Sequence, residues 1–229
     1  MSNTQENPQK NYLKAALGVI AILLLFIASD FVAKHMAAQK ANEPFQPKEG
    51  VHFVKIEKTQ EISDLLLRLG VGETDSFEIM SYSCHACRSI EPVLEYVERV
   101  KNIDIHKFQL GNETIPMAEA EYYVSQISPA NLTVFRDRMF TKMMSHADLK
   151  DKVSFAKNIP FEFGITPEQL NAMDVDAKQY ANDTTKLADL LKVTKTPTVY
   201  VKGQYMIVHE AHESFDQYSQ TLEFILDNK

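Results

Sequence analysis

The chain contains two cysteines, Cys84 and Cys87, separated by two residues in a sequence of 229 residues. Paired thiols at this spacing carry out thiol–disulfide exchange, and the same spacing also supplies half of a tetrahedral zinc site. Zinc would need two more ligands, and the sequence has no second pair of this kind. His209 and His212 lack the spacing of a His-Glu-x-x-His motif. A reactive dithiol without a metal or other cofactor is therefore the favoured interpretation.

The cysteine pair stands at the start of a predicted helix, because apolar residues recur at helical spacing over 90–100. The first backbone N–H groups of a helix have no intrahelical partner, and the helix dipole is positive there. Both features stabilise a thiolate on Cys84, and a protonated His85 directed at the sulfur would add to the effect. Stabilising the thiolate favours the reduced form, which makes the disulfide a stronger oxidant. Cys87 lies one turn further along and can close the disulfide.

The N-terminal segment decides the redox environment of these thiols. Residues 15–29 carry no charge and follow Lys10 and Lys14. A helix continued to residue 33 spans about 28 Å, close to the hydrocarbon thickness of a bilayer. We predict a transmembrane signal-anchor over 13–33, with a cleaved signal peptide as the alternative. The preceding lysines keep the short tail in the cytoplasm, so the rest of the chain is exported into a compartment that permits disulfides.

Composition and hydrophobic pattern indicate an α/β domain. The net charge of −7, without a basic block, argues against nucleic-acid binding. The predicted order is strand, strand, cysteine-bearing helix, strand, a helical block, a β-hairpin and a final helix. A β-α-β crossover requires a parallel pair and a hairpin adds antiparallel strands, so the central sheet is mixed. The predicted strands cover 51–56, 76–82, 103–110, 198–201 and 205–209. Within the helical block, Pro129, Pro160 and Pro167 mark breaks, Thr166 is the N-cap of a helix, and the last helix covers 183–191.

Two stretches, YSCHACRSIEP and KTPTVYVKGQY, resemble the thioredoxin superfamily and, within it, the exported DsbA-like thiol:disulfide oxidoreductases. Pro92 lies eight residues after Cys84, where the active-site helix of these proteins often carries a proline. Glu78 lies six residues before Cys84, where the family often has a buried acid. Thr196-Pro197 precedes the predicted hairpin, where the superfamily carries a cis-proline. The resemblance implies a thioredoxin fold with an inserted helical domain, and the apolar segment adds a transmembrane helix before it.

The domain organisation combines this resemblance with the pattern of elements. The resemblance extends over about 51–229. The predicted segments are a cytoplasmic tail (1–12), the signal-anchor (13–33), a linker (34–50), the first half of the thioredoxin fold (51–113), the helical insertion (114–192) and the second half of the fold (193–229).

The resemblance also implies a role for each site residue. Cys84 is the exposed attacking cysteine and Cys87 the buried resolving one. Pro197 is cis and exposes the Thr196 backbone to a substrate strand. Glu78 relays a proton to or from Cys87, unless it is a solvent-facing strand acid. Glu91 matches another charged position of the family, and a solvated helix face explains it equally well.

Two positions depart from the family pattern. DsbA-type oxidants commonly have Cys-Pro-His-Cys, whereas here His85 directly follows the first cysteine and no proline intervenes. The role of His85 and the redox potential are therefore left open. The residue before the cis-proline is Thr196. Disulfide isomerases also have threonine at this position, whereas the oxidases commonly have valine.

The predicted function is that of a periplasmic thiol:disulfide oxidoreductase that exchanges its disulfide with thiols of exported proteins, with oxidation as the favoured direction. It is held in the inner membrane by its N-terminal helix, or is soluble in the periplasm if that segment is cleaved. A membrane DsbB-type protein is the implied redox partner. The alternatives are a reductase or isomerase that is kept reduced, and a copper-handling assembly factor with soft sulfur ligands.

Overall fold

A mixed five-stranded sheet forms the centre of the fold in the computed structural model, which describes residues 44–110 and 115–229. The strand order is β1-β5-β4-β2-β3. Strands β2 and β3 are parallel, and the other neighbouring pairs are antiparallel. The expectation of a mixed sheet is therefore confirmed. The strands are β1 (Phe53–Lys55), β2 (Ser76–Met80), β3 (Ile105–Gln109), β4 (Thr198–Val201) and β5 (Tyr205–Ile207).

Helices cover both faces of the sheet and form a block over one of its ends. The α-helices of the described residues are α1 (Gln60–Arg68), α2 (His85–Lys101), α3 (Ile115–Ile127), α4 (Leu132–Met143), α5 (Leu149–Glu162), α6 (Pro167–Leu190) and α7 (Phe215–Asn228). Helices α2 and α7 pack on one face of the sheet, and α1 with the last part of α6 packs on the other. Helices α3, α4 and α5 enclose a third apolar cluster together with Tyr82 and Cys87. The cysteine pair thus lies where the helical block meets the sheet.

The helical block differs in two places from what the sequence predicts. Pro160 was expected to mark a break, but α5 runs through it to Glu162. A separate last helix was expected from Asp183, whereas α6 is one helix of 24 residues. Its start agrees with the sequence, because Thr166 forms a complete capping box. Apolar packing of Ala177, Ala181 and Leu187 along one face keeps this long helix continuous.

The predicted signal-anchor over 13–33 lies outside the described residues. Within 44–110 and 115–229, no helix is both long and apolar enough to cross a membrane.

Candidate active site

The turn before α2 places Cys84 at the helix N-cap. The Sγ atom of Cys84 accepts a hydrogen bond from the backbone N–H of Cys87 at 3.1 Å. The backbone N–H of Cys84 donates to the Ser81 carbonyl at 2.9 Å, which closes the turn. Helix N-termini leave backbone N–H groups without intrahelical acceptors, and here the sulfur takes the position that a serine or aspartate oxygen usually occupies. The first turn of α2 therefore favours negative charge on Cys84.

The two cysteines have different surroundings. Both are free thiols in this structure, with Cys84 half-buried and Cys87 fully buried. Burial raises the pKa of Cys87, and the hydrogen bond with Cys84 raises it further. The first sulfur of the pair, that of Cys84, is partly accessible from solvent. The second, that of Cys87, is buried and keeps its proton. This arrangement suits an attacking and a resolving cysteine.

The second half of the fold brings a cis-proline loop against the first cysteine. The Thr196–Pro197 peptide bond is cis. The Cys84 thiol donates to the Thr196 carbonyl at 3.4 Å, although the two residues are 112 positions apart in sequence. The fold thus brings together the two motifs on which the resemblance rests.

Glu78 lies on the sheet face below the cysteine-bearing helix. It occupies the central strand β2, opposite Lys107 of β3 and Val199 of β4, and is 0% exposed. Neither carboxylate oxygen has a hydrogen-bond partner among the described residues. Burial raises the pKa of Glu78 to about 8, with a further rise from Glu91 and partial opposition from Lys107. Glu78 is thus a buried acid that holds a proton at neutral pH, and not a solvent-facing strand residue.

Glu91 belongs to a buried ion pair, and the reading of a solvated helix face is wrong. Its carboxylate pairs with the ammonium group of Lys107, and their side chains are 15% and 3% exposed, respectively. The sequence analysis did not single out Lys107. Its position in β3 could have indicated burial, because alternate residues of a strand lie on the same face of the sheet and Lys107 is two residues from the buried Ile105.

A second buried ion pair holds the turn before the cysteines. The Tyr82 hydroxyl donates to Glu121 Oε2 at 2.7 Å, and Arg136 Nε donates to Glu121 Oε1 at 2.8 Å. The Tyr82 N–H donates to the side-chain oxygen of Gln109 at 2.9 Å. Tyr82 therefore links the active-site turn to helices α3 and α4. Sequence reasoning missed this network, because its members are 15 and 39 positions apart in sequence.

His85 lies on the exposed side of the first helical turn. Its backbone carbonyl accepts a hydrogen bond from the Ser89 hydroxyl at 2.9 Å. No hydrogen bond joins its ring to either sulfur within the part of the chain that the structure describes. The structure therefore does not bring His85 into the polar contacts of the pair.

His209 and His212 lie in and just after a 3-10 turn that follows β5. The ring of His212 is hydrogen bonded to the Val208 carbonyl at 3.0 Å and to the Thr221 hydroxyl at 2.8 Å. Among the described residues, no cluster of three histidine, cysteine or acidic side chains could hold a metal ion.

Comparisons with known proteins give a fold and no sequence relative. No protein-family model matches the sequence, and no curated protein matches it. Among solved structures, the DsbA disulfide interchange protein of Klebsiella pneumoniae superposes with a TM-score of 0.59 at 20% identity, covering 81% of this chain and 97% of that one. DsbL of Salmonella enterica serovar Typhimurium gives 0.55 at 15% identity, covering 81% and 100%. Proteus mirabilis DsbA with a non-covalently bound peptide, PWATCDS, gives 0.58 at 13% identity, covering 80% and 97%.

These similarities define the fold. The described chain has the thioredoxin fold of DsbA proteins, with a helical insertion between the two halves of the sheet.

Proposed function

We propose that this protein is a thiol:disulfide oxidoreductase whose reactive pair is Cys84 and Cys87. The observation that carries the proposal is the position of Cys84 Sγ. This sulfur accepts a hydrogen bond from the Cys87 N–H at the N-terminus of α2. It also lies 3.4 Å from the carbonyl oxygen of Thr196, the residue before the cis-proline. The DsbA fold of the solved structures supports the same assignment.

The favoured direction is oxidation of a substrate dithiol. A substrate thiolate attacks Cys84 Sγ of the disulfide, the bond to Cys87 breaks, and its electron pair leaves on the Cys87 sulfur. A second substrate thiolate then attacks the substrate sulfur of the mixed disulfide. The substrate leaves oxidised, and the enzyme leaves as a dithiol. Helix N-terminal stabilisation of the Cys84 thiolate favours this direction, because it stabilises the reduced enzyme.

Cys87 must gain a proton when the disulfide opens and lose it when the disulfide closes, and this transfer takes place on the buried side of the site. A Cys87 thiolate is costly where it forms, because burial raises the pKa of this thiol. Glu78 lies on the adjacent sheet face and retains its proton at neutral pH. We assign Glu78 as the donor to the Cys87 sulfur when the disulfide opens, and as the acceptor when it closes.

The substrate groove follows from the backbone at Thr196 and Pro197. In the free protein, the Thr196 carbonyl accepts a hydrogen bond from the Cys84 thiol. An extended peptide beside this loop would bring its own cysteine next to Cys84 and contact the Thr196 backbone. We propose cysteine-containing exported proteins as substrates, in line with the bound cysteine peptide of Proteus mirabilis DsbA.

The cellular setting is part of the same proposal. The lysines before the apolar segment at 15–29 support an inner-membrane anchor over 13–33, with the catalytic domain in the periplasm. Reoxidation of the dithiol would then come from a quinone-linked membrane protein of the DsbB type.

The test compares two cysteine variants with the wild type on a reduced peptide that contains two cysteines. We expect the oxidised wild type to form a disulfide in this peptide and Cys84→Ser to form none. With the same peptide in its disulfide form, Cys87→Ser should accumulate a mixed disulfide, because the Cys84 thiolate attacks the peptide disulfide, one peptide sulfur leaves as a thiolate, and no second protein thiol resolves the product. Mass spectrometry detects both outcomes. Full activity of Cys84→Ser would contradict the mechanism.

The reduction potential separates oxidant from reductase. The reduction potential of a DsbA-type oxidant is about −120 mV, and that of thioredoxin is about −270 mV. A value close to that of thioredoxin would overturn the favoured direction and leave the exchange chemistry standing.

A further inference from the structure

The hydroxyl group of Thr198 closes the cis-proline loop. Thr198 is the first residue of β4, pairs with Ile79 of β2 and is 8% exposed. Its Oγ1 atom donates a hydrogen bond to the Lys195 carbonyl oxygen at 2.8 Å. This bond spans Thr196 and Pro197, so it encloses the part of the loop that faces the reactive sulfur.

The sheet fixes the position from which this hydroxyl group acts. Strand β4 lies between β2 and β5. Cross-strand partners lie on the same face of a sheet, so the Thr198 side chain lies with Ile79 on the face covered by α1 and α6. A buried hydroxyl group needs a partner inside the protein, and the Lys195 carbonyl supplies it. The hydrogen bond therefore ties the loop to an interior strand of the sheet.

A second hydrogen bond to this loop depends on the redox state of the cysteine pair. In the reduced protein, the Cys84 thiol donates to the Thr196 carbonyl. A sulfur in a disulfide carries no proton, so the oxidised protein cannot form this bond. Oxidation thus frees the Thr196 carbonyl for a peptide. Of the two hydrogen bonds that reach the loop backbone at 194–197 from elsewhere in the described residues, the one from Thr198 then remains.

An ion pair between Lys195 and Glu210 also links the loop to the turn after β5. The two side chains are 63% and 55% exposed. An exposed pair of this kind contributes little to stability, because water and salt screen the attraction. The hydrogen bond from the buried Thr198 is therefore the stronger restraint on the loop.

Another buried threonine, Thr184 of α6, uses its hydroxyl group differently. It is 1% exposed and donates to the Ala181 carbonyl at 2.9 Å. That acceptor lies one turn earlier in the same helix, which is a common local pattern. The acceptor of Thr198 lies outside its strand, in the loop that the proposed function assigns to substrate binding. The two threonines thus lose the same kind of bond on substitution, but only one of these bonds holds the loop.

We propose that Thr198 is a positioning residue for substrate binding. Its hydroxyl group holds the loop so that the free Thr196 carbonyl of the oxidised protein meets an extended peptide beside Cys84. Without this bond the loop backbone occupies a wider range of positions, fewer molecules present the carbonyl correctly, and the peptide binds more weakly. The Thr198 hydroxyl donates to neither sulfur, so the exchange step keeps its rate once the peptide is bound. The inference rests on the proposed function and adds a residue outside the cysteine motif.

The test mixes the full-length oxidised protein with an excess of a reduced peptide, PWATCDS extended at its C-terminus by Gly-Gly-Cys. Acid quench, alkylation of free thiols and mass spectrometry give the rate of peptide oxidation at a series of peptide concentrations. The variant is Thr198→Val, which keeps the branched shape and removes the hydroxyl group. We expect the half-saturating peptide concentration to rise about fivefold, as for the loss of one ordinary hydrogen bond, and the limiting rate to change by less than about twofold.

Two further variants separate positioning from general stability. Thr198→Ser keeps the hydroxyl group and should restore the wild-type half-saturating concentration. Thr184→Val, the matched control, removes a buried hydroxyl group away from the loop and should leave both constants unchanged. Thr198→Ala repeats the measurement in case valine disturbs the fold. A wild-type half-saturating concentration in Thr198→Val and Thr198→Ala, a rise that serine does not reverse, an equal rise in Thr184→Val, or a loss confined to the limiting rate would overturn the role of Thr198.

Failure of the proposed function gives a different result. In that case the wild-type disulfide would oxidise the peptide no faster than the same disulfide in a short CHAC peptide, whatever residue stands at 198. A fast wild type with unchanged Thr198 variants would instead leave the oxidoreductase proposal intact and remove only the positioning role.

Discussion

Two buried glutamates, Glu78 of β2 and Glu121 of α3, differ in how their carboxylates are satisfied. Glu121 is 2% exposed and accepts hydrogen bonds from Tyr82 and Arg136. Glu78 is 0% exposed, and neither of its oxygens has a hydrogen-bond partner among the described residues. The same side chain at similar burial is therefore an ion-pair member at one position and an isolated acid at the other.

Because of this difference, the two glutamates have different roles. A carboxylate paired with an arginine and a hydroxyl donor fixes the elements that supply these contacts. Glu121 thus fastens the turn before Cys84 to the helical insertion through Tyr82. A carboxyl group without donors retains its proton, and Glu78 can therefore give that proton to a nearby thiolate. The comparison predicts opposite signs for one substitution made at the two positions.

The largest effect is expected for Glu121→Gln, which leaves the buried guanidinium of Arg136 without its counter-charge. Removing one partner of a buried ion pair typically costs about 3–5 kcal/mol. We expect a loss of about 3 kcal/mol in the free energy of unfolding, at the low end because the Arg136 side chain is 20% exposed. Urea unfolding at pH 7 measures it.

Glu119→Gln is the matched control on the same helix. Glu119 is only partly buried and forms no ion pair with another residue that the structure describes. It should change the free energy of unfolding by no more than about 0.5 kcal/mol. Equal losses for Glu119→Gln and Glu121→Gln would show that the ion pair does not stabilise the turn.

The next effect is expected for Glu78→Gln and depends on pH. The pKa of Glu78 is raised from 4.5 to about 8 in the folded protein. Between these pH values the folded state keeps a proton that the unfolded state has released. Stability from this group is therefore complete below about pH 4.5 and is lost as pH rises to about 8, by at most about 1.4 kcal/mol per pH unit.

Glutamine has no proton to release, so the variant should lack this slope and should be more stable than the wild type at pH 8.5. Urea unfolding of both reduced proteins at pH 5 and pH 8.5 measures the difference. Parallel pH profiles for wild type and variant would mean that Glu78 is ionised in the folded protein, and the contrast with Glu121 would disappear.

Local features of the fold could be predicted from the sequence because short-range physics determines them. The cysteine-bearing helix, the cap at Thr166 and the hairpin after Thr198 each follow from residues within a few positions of one another. The break expected at Pro160 was wrong, because the helix accommodates proline in its last turn when tertiary packing holds it. The anchor over 13–33 remains a prediction.

The site could be predicted only in part. Two sequence motifs contain the predicted site residues Cys84, Cys87, Thr196 and Pro197. The structure brings the two motifs together. The partners that distinguish Glu78 from Glu121 could not be foreseen, since Arg136 lies on the helical insertion and nothing local relates it to the turn. Charged residues with long-range partners look like ordinary surface residues in a single sequence.

The smallest effect is expected for Arg88→Ala, which tests whether burial explains the contrast between the acids. Arg88 of α2 pairs with Asp137 of α4 at 2.8 Å, and their side chains are 40% and 68% exposed. This pair also joins the cysteine-bearing helix to the insertion, but solvent screens it. We expect a loss below about 1 kcal/mol in the free energy of unfolding, decreasing further at 1 M salt.

A double-mutant cycle with Asp137→Ala isolates the coupling energy of this pair from other effects of the two substitutions. If that coupling matched the loss for Glu121→Gln and persisted in salt, the position of an ion pair between the two elements, and not its burial, would decide its contribution. A small, salt-sensitive coupling would leave the buried pair at Glu121 as the stronger link between the insertion and the cysteine-bearing turn.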